Sequence, residues 1–148
     1  MKATINVCED ITLITLQNIS ADINFIAEVF DKIASMGVDV DMISLSPVQS
    51  SRTSLSFTIA DDDLVKILSY TSKLDDGSVK SIVSSGNCKI TVNDPGMENC
   101  PGVAAKVFSQ AAKAGTDIRL ITTSESQISL LVTKSDADAA AAGISEVL

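Results

Sequence analysis

Apolar and polar positions alternate at the start of the chain. Between Lys2 and Cys8, Ala3, Ile5 and Val7 point one way and Thr4 and Asn6 the other, which predicts a short half-buried strand. Glu9 and Asp10 are expected to end it. Ile11–Ile19 (ITLITLQNI) is dense in Ile, Leu and Thr and predicts a buried strand. The period then changes. From Ile23 to Met36, Phe25, Ile26, Val29, Phe30, Ile33 and Ala34 recur at helical spacing, opposite Glu28, Asp31, Lys32 and Ser35. Ser20 and Asp22 are both suitable caps, and Gly37 is suited to a left-handed stop because it carries no Cβ. Val38–Ser46 predicts the next strand, with a slip in alternation between Met42 and Ile43 that suggests a bulge or a two-sided buried strand. After a polar loop at Pro47–Thr53, Leu55, Phe57 and Ile59 alternate with Ser54, Ser56 and Thr58. Asp61–Asp63 open a second helix with Leu64, Val65 and Leu68, Asp75-Asp76-Gly77 makes a turn, and Val79–Val83 predicts a short strand. From Ile11 the order is βαββαβ.

Ser84–Asn87 reads as a polar turn, after which the pattern begins again. Ile90 and Val92 sit on a strand, a loop runs from Asp94 to Gly102, and Val103, Ala104, Val107, Phe108, Ala111 and Ala112 form a helix stripe that Gly115 stops. Strands follow at Ile118–Thr123 and Gln127–Val132, then an alanine-rich helix from about Asp136 to Val147. FIAEVFDKIASMGVDVDMISLS at Phe25–Ser46 aligns with VAAKVFSQAAKAGTDIRLITTS at Val103–Ser124, and Val29, Phe30, Gly37, Asp39, Ile43 and Ser46 recur as Val107, Phe108, Gly115, Asp117, Ile121 and Ser124. A repeat of this length implies two similar units. The second copy ends one strand short, and the strand at residues 2–8 belongs to no unit. The expected organisation is therefore one unit at 11–84, inserted between residues 1–10 and 85–148, which together make the other.

Composition narrows the function. The formal net charge is −8, and nucleic acid or anionic membrane surfaces require clustered Lys and Arg, so neither is an expected partner. No apolar run approaches membrane-spanning length and the N-terminus lacks a signal-peptide core, which makes the cytoplasm the expected location. There is no histidine, which removes imidazole acid–base chemistry and His metal ligation. Cys8, Cys88 and Cys100 form no close pair and read as reduced thiols, with Cys100 the one near a helix start. Asp61–Asp63 read as complementing a helix N-terminus, not as a metal site. Neither a catalytic residue nor a cofactor is expected.

Gly96-Met97, Pro101-Gly102-Val103-Ala104 with Lys106-Val107-Phe108, and Ile121-Thr122-Thr123-Ser124-Glu125 ahead of QISLLV carry a resemblance to the ACT domain. The pair of repeats is similar to the tandem ACT region at the regulatory C-terminus of aspartate kinases, over nearly the whole chain. The resemblance implies an α+β fold of two ferredoxin-like βαββαβ units, antiparallel sheets with helices on one face. It implies feedback sensing of an amino acid, lysine or threonine, at ACT–ACT interfaces, with pairing into a homodimer and action on an aspartate kinase catalytic domain. No phosphate-cradling glycine loop is present, so the chain is expected to be a regulatory subunit or excised regulatory region, not an enzyme by itself.

The same resemblance points to ligand-binding residues. They are Asn18, Ser20, Ala21, Asp22, Ile23 and Asn24, ahead of the first helix, and Asp39, Val40 and Asp41, at the start of the facing strand. Asp117 and Ile118, at the matching strand start of a partner unit, complete the set. Backbone N–H groups at a helix start suit a carboxylate, and carbonyls or an Asp suit an ammonium. Where the family has Asp-Lys-Pro-Gly, this chain has Ala21-Asp22-Ile23-Asn24, and Asn24 permits less close backbone approach than glycine. The rival reading is a structural module that pairs through sheet edges without a ligand. An independent enzyme is disfavoured by the lack of histidine, of clustered ligands and of a phosphate loop.

Overall fold

The structure is a computed structural model that describes residues 3–47 and 51–148. Lys2 of the first expected strand and Val48, Gln49 and Ser50 of the expected polar loop lie outside the described residues. The elements are, in order, β1 (Thr4–Ser20), α1 (Ile23–Ser35), β2 (Ile43–Leu45), β3 (Arg52–Ala60), α2 (Leu64–Thr71), β4 (Lys80–Asn93), α3 (Val103–Lys113), β5 (Ile118–Thr123), β6 (Gln127–Thr133) and α4 (Lys134–Ser145). Contacts divide them into two compact units, Ile11–Ser85 and the residues up to Asp10 with Gly86–Leu148. The architecture is the α+β, antiparallel one expected. Among the described residues no helix is long and apolar enough to cross a membrane.

In the unit Ile11–Ser85, β1 and β3 pair antiparallel from Ile11↔Ala60 to Ser20↔Arg52, and β2 pairs with β3 at Ile43↔Phe57 through Leu45↔Leu55. Alternate residues reach the core, as a strand's period of two requires: Ile14 and Leu16 from β1, and Leu55, Phe57 and Ile59 from β3. Ile26, Val29 and Ile33 of α1 cover them at spacings of three and four, and Ile67 of α2 completes the layer. Phe30 meets Phe57 edge-on, with ring centroids 5.8 Å apart, a geometry the ring quadrupoles favour. The helix ends where Gly37 takes φ 74°, a conformation that would strain any residue with a Cβ.

In the other unit β4 pairs antiparallel with β6 from Asn87↔Thr133 to Asn93↔Gln127, and β5 with β6. Cys88, Ile90 and Val92 face Ile128, Leu130 and Val132 in a core closed by Val107, Ala137, Ala140 and Ile144, with Ile5 packed against it. Burial pushes the Cys88 thiol pKa up, which keeps it an inert hydrophobe.

Four local expectations are corrected. Glu9 and Asp10 do not end a strand: β1 runs from Thr4 to Ser20, with Asp10 at φ 61°. Ser84–Asn87 is strand, not turn, with Gly86 at φ 69°. In both places the strand continues through one left-handed residue. The strand expected at Val38–Ser46 is confined to Ile43–Leu45. Ahead of it the Asp41 N–H reaches the Thr58 carbonyl at 3.2 Å and the Met42 N–H reaches Thr58 Oγ1 at 2.9 Å. Two residues thus oppose one, which is how a bulge interrupts a ladder. Finally, Val65 is 77% exposed, and Ile67 takes the core position in α2 instead.

Candidate functional site

The Asn18 end of the unit Ile11–Ser85 is built on an irregularity. The β1–β3 register shifts between Leu16 and Ile19, and Asn18 takes φ 63°, which asparagine tolerates better than most residues. The chain then turns into α1. The Ser20 hydroxyl accepts the Asp22 N–H at 3.2 Å, and the Ala21 N–H donates to the Ser51 carbonyl at 2.9 Å. Of the two candidate caps Asp22 is the one used: its Oδ1 accepts the Asn24 N–H at 2.9 Å and the Asn24 side-chain amide at 3.2 Å. That N–H of the first turn is therefore engaged by the protein itself. The Ile23 side chain stands exposed.

Beside this turn lies a cavity of about 490 Å3 lined by Asn18, Ser46, Pro47, Arg52, Thr53 and Ser54. Thr53 is buried and its hydroxyl donates to the Ser46 carbonyl at 2.8 Å, while the Ser46 N–H donates to the Ser54 carbonyl at 3.0 Å. Arg52 Nη1 lies 3.1 Å from Asp75 Oδ2 and donates to the Asn18 carbonyl at 3.4 Å. The Ser78 hydroxyl donates to Asp75 at 2.9 Å. That bond, followed by the Arg52 interaction, holds the Asp75 carboxyl below the usual carboxylate range. Of the residues expected at the site, Asn18 lines this cavity; Ser46, Pro47, Arg52, Thr53 and Ser54 lie outside the expected set. The strand end at Ser46, where the repeat alignment stops, was the available signal for the first. Arg52 had a weaker one, as one of two arginines in an acidic chain.

Asp39, Val40 and Asp41 lie elsewhere. Asp39 and Asp41 are exposed and Val40 is half-buried. The Asp41–Met42 bulge sits opposite Thr58, which pairs with Leu13, whereas Ser20 pairs with Arg52. At about 3.3 Å per residue, the run from Arg52 to Thr58 separates the two segments by about 20 Å along β3. Within one unit the structure does not bring them together.

In the unit containing Gly86–Leu148, Asp117 and Ile118 are tied into the frame. The Asp117 N–H donates to Asp136 Oδ2 at 2.9 Å, and its carboxylate lies 3.2 Å from Arg119 Nη2. The Thr133 hydroxyl donates to Asp136 at 2.7 Å. The Asp117 N–H first, and this hydroxyl second, hold the Asp136 carboxyl low. Ile118 is half-buried and opens β5 opposite Val132. This unit has its own cavity after its first strand, about 310 Å3, lined by Met97, Glu98, Asn99, Ser124 and Glu125. The loop there takes left-handed turns at Asn99 (φ 58°) and Gly102 (φ 99°). Cys100, within it, is exposed.

Residues 90–148 match the model of the ACT domain. An aspartokinase of Geobacillus stearothermophilus is 32% identical over 124 residues, which is 84% of this chain and 30% of that protein. The chain thus spans about a third of the length of the curated relatives it matches. Among solved structures, the regulatory subunit of aspartate kinase from Thermus flavus superposes with a TM-score of 0.85 at 28% identity, covering 96% of this chain and 95% of that one. The aspartate kinase of Synechocystis gives a TM-score of 0.87 at 29% identity, over 97% of this chain and 26% of that one.

Proposed function

We infer that this chain, an ACT-domain protein that resembles the regulatory part of aspartate kinases, is a non-catalytic amino-acid sensor that acts on an aspartate kinase catalytic domain. The effector, lysine or threonine, enters at the Asn18 end of the unit Ile11–Ser85. The observation that carries this reading is the cavity of about 490 Å3 formed where the turn into α1 meets the end of β2. Asp39–Asp41 sit about 20 Å from it in the same unit by the strand rise, so in this reading a second copy of the chain supplies them, or Asp117 and Ile118, as the opposite wall. The sensor is accordingly a homodimer paired through ACT units, and the carboxylates of Asp39 and Asp41, or that of Asp117, receive the ligand's ammonium across the pairing surface. A cytoplasmic location belongs to the same reading, in keeping with three free thiols.

A second reading has its own support. Ile43 and Leu45 on β2 are 49% and 48% exposed, an apolar strand segment suited to edge pairing without any ligand. Titration calorimetry of the chain against lysine and threonine separates the two. Saturable heat from either amino acid supports sensing, and no heat at millimolar ligand favours a pairing module. A monomer by light scattering at tens of micromolar protein contradicts both.

A further inference from the structure

The sensing reading leaves open which group in the cavity recognises the ligand, and the position of Arg52 answers it. It lines the cavity from the first residue of β3, next to buried Thr53. Two acceptors hold it there: the Asn18 carbonyl at 3.4 Å and Asp75 Oδ2 at 3.1 Å. Both bonds use Nη1, so neither engages Nη2 or Nε. The ion pair with Asp75 is exposed on both sides, with side-chain accessibilities of 46% and 41%, and such pairs hold weakly. A guanidinium tethered through Nη1 alone keeps the Nη2 and Nε donors that can grip a carboxylate through two parallel N–H bonds. Among the described residues the remaining lining is Asn18, Ser46, Pro47, Thr53 and Ser54, so the one carboxylate a ligand must compete with for Arg52 is that of Asp75. The corresponding cavity of the other unit has the opposite character: Glu98 and Glu125 line it without a cation among the described residues.

We propose that Arg52 is the carboxylate-reading residue of the effector cavity, gripping the free α-carboxylate of the ligand, and that the cavity lined by Glu98 and Glu125 offers that carboxylate no cation among the described residues. Each chain then binds one amino acid, at the unit Ile11–Ser85. This rests on the sensing reading above and adds to it a required chemical group, a residue and a stoichiometry.

The test is calorimetry of the whole chain with threonine and lysine, and with threoninamide and lysinamide, in which the carboxylate is replaced by an uncharged amide. The wild-type chain is expected to bind the acid with one site per chain and the matching amide about tenfold more weakly or worse, the scale of a charge-assisted hydrogen bond. Arg52→Gln should weaken the acid by about tenfold, leave the amide unchanged and so erase the discrimination. Arg52→Lys, which keeps the charge but not the fork, should fall between. Circular dichroism confirms that the variants fold; Arg52 is a surface residue, so its replacement leaves the core intact. Equal affinity for acid and amide in the wild type, an Arg52→Gln variant with wild-type affinity, or two sites per chain overturns the proposal while leaving the sensing reading in place. If neither amino acid binds the wild-type chain, the sensing reading itself fails.

Discussion

The two units repeat one frame and diverge at one place. Val29 and Val107 are both buried on the inner face of a helix, as are Ile33 and Ala111, and each helix stops at a left-handed glycine, Gly37 at φ 74° and Gly115 at φ 68°. At the cavity after the first strand the resemblance ends. One cavity carries Arg52; the other carries Glu98 and Glu125. Buried positions are constrained by packing density, where a single methylene is felt, whereas a cavity lining answers only to its ligand. The unit with the best-formed motif, Gly96 to Gly102, is therefore not the unit better equipped to hold a carboxylate. Motif strength reports the frame, and the lining reports the chemistry.

The loss of a whole strand tests whether the two frames are separately held. Ile5 packs on the core of Cys88, Ile90 and Val92, and the residues up to Asp10 cluster with Gly86–Leu148. Deleting residues 1–9 should strip a strand from that unit. Hydrogen exchange of amides in 86–148 should then rise by at least tenfold, roughly 1.4 kcal/mol or more of local stability, while 11–85 stays protected. Loss of protection confined to 11–85 breaks the assignment.

Next come matched core truncations. Phe57 and Leu130 are both fully buried and occupy equivalent sheet positions, paired to Ile43 and Ile121. Phe57→Ala should cost about 3–5 kcal/mol and Leu130→Ala about 2–5 kcal/mol, as transfer and cavity terms add. Chemical denaturation measures both. If the effector site belongs to the unit Ile11–Ser85, only Phe57→Ala should weaken amino-acid binding at temperatures where each variant is still folded. Equal weakening by Leu130→Ala sinks the assignment of the site to one unit.

The frame was legible in the sequence because it depends on period and on glycine. The stripe Ile26, Val29, Ile33, the stops at Gly37 and Gly115, and the repeat itself all follow from local pattern. Where that pattern failed, a partner strand decided. Val38–Ser46 alternates well enough for a strand, yet Thr58 takes the N–H groups of both Asp41 and Met42, and regular pairing begins only at Ile43. Asp10 and Gly86 sit inside strands although each takes a left-handed φ, which local pattern reads as a break. The candidate site was half legible. Asn18 was found from the loop before the helix, but Arg52 reaches it only through the β1–β3 register, 34 residues away in the chain. That Asp39–Asp41 fall at the far end from Asn18 was legible, since the helix between them carries the chain about 20 Å at 1.5 Å per residue.

The smallest expected effect is electrostatic, and it distinguishes how the two units hold their low-titrating carboxylates. Asp75 is held by the Ser78 hydroxyl and then by Arg52, a cation; Asp136 is held by the Asp117 N–H and the Thr133 hydroxyl, both neutral donors. Each folded-state pKa lies below the unfolded value of about 3.9. Each carboxylate therefore contributes stability that is present above that value and is lost as pH falls through its own folded pKa. Salt divides them. At about 1 M the screening length falls to about 3 Å, which weakens the exposed Arg52–Asp75 pair but not the neutral hydrogen bonds around Asp136. Carboxyl resonances followed by NMR should show the Asp75 pKa rising toward the ordinary range in high salt, and rising likewise in Arg52→Gln, with Asp136 unmoved in both. Parallel shifts at the two aspartates would mean that Arg52 is not bound to Asp75 in solution, and that the guanidinium is not held by that contact.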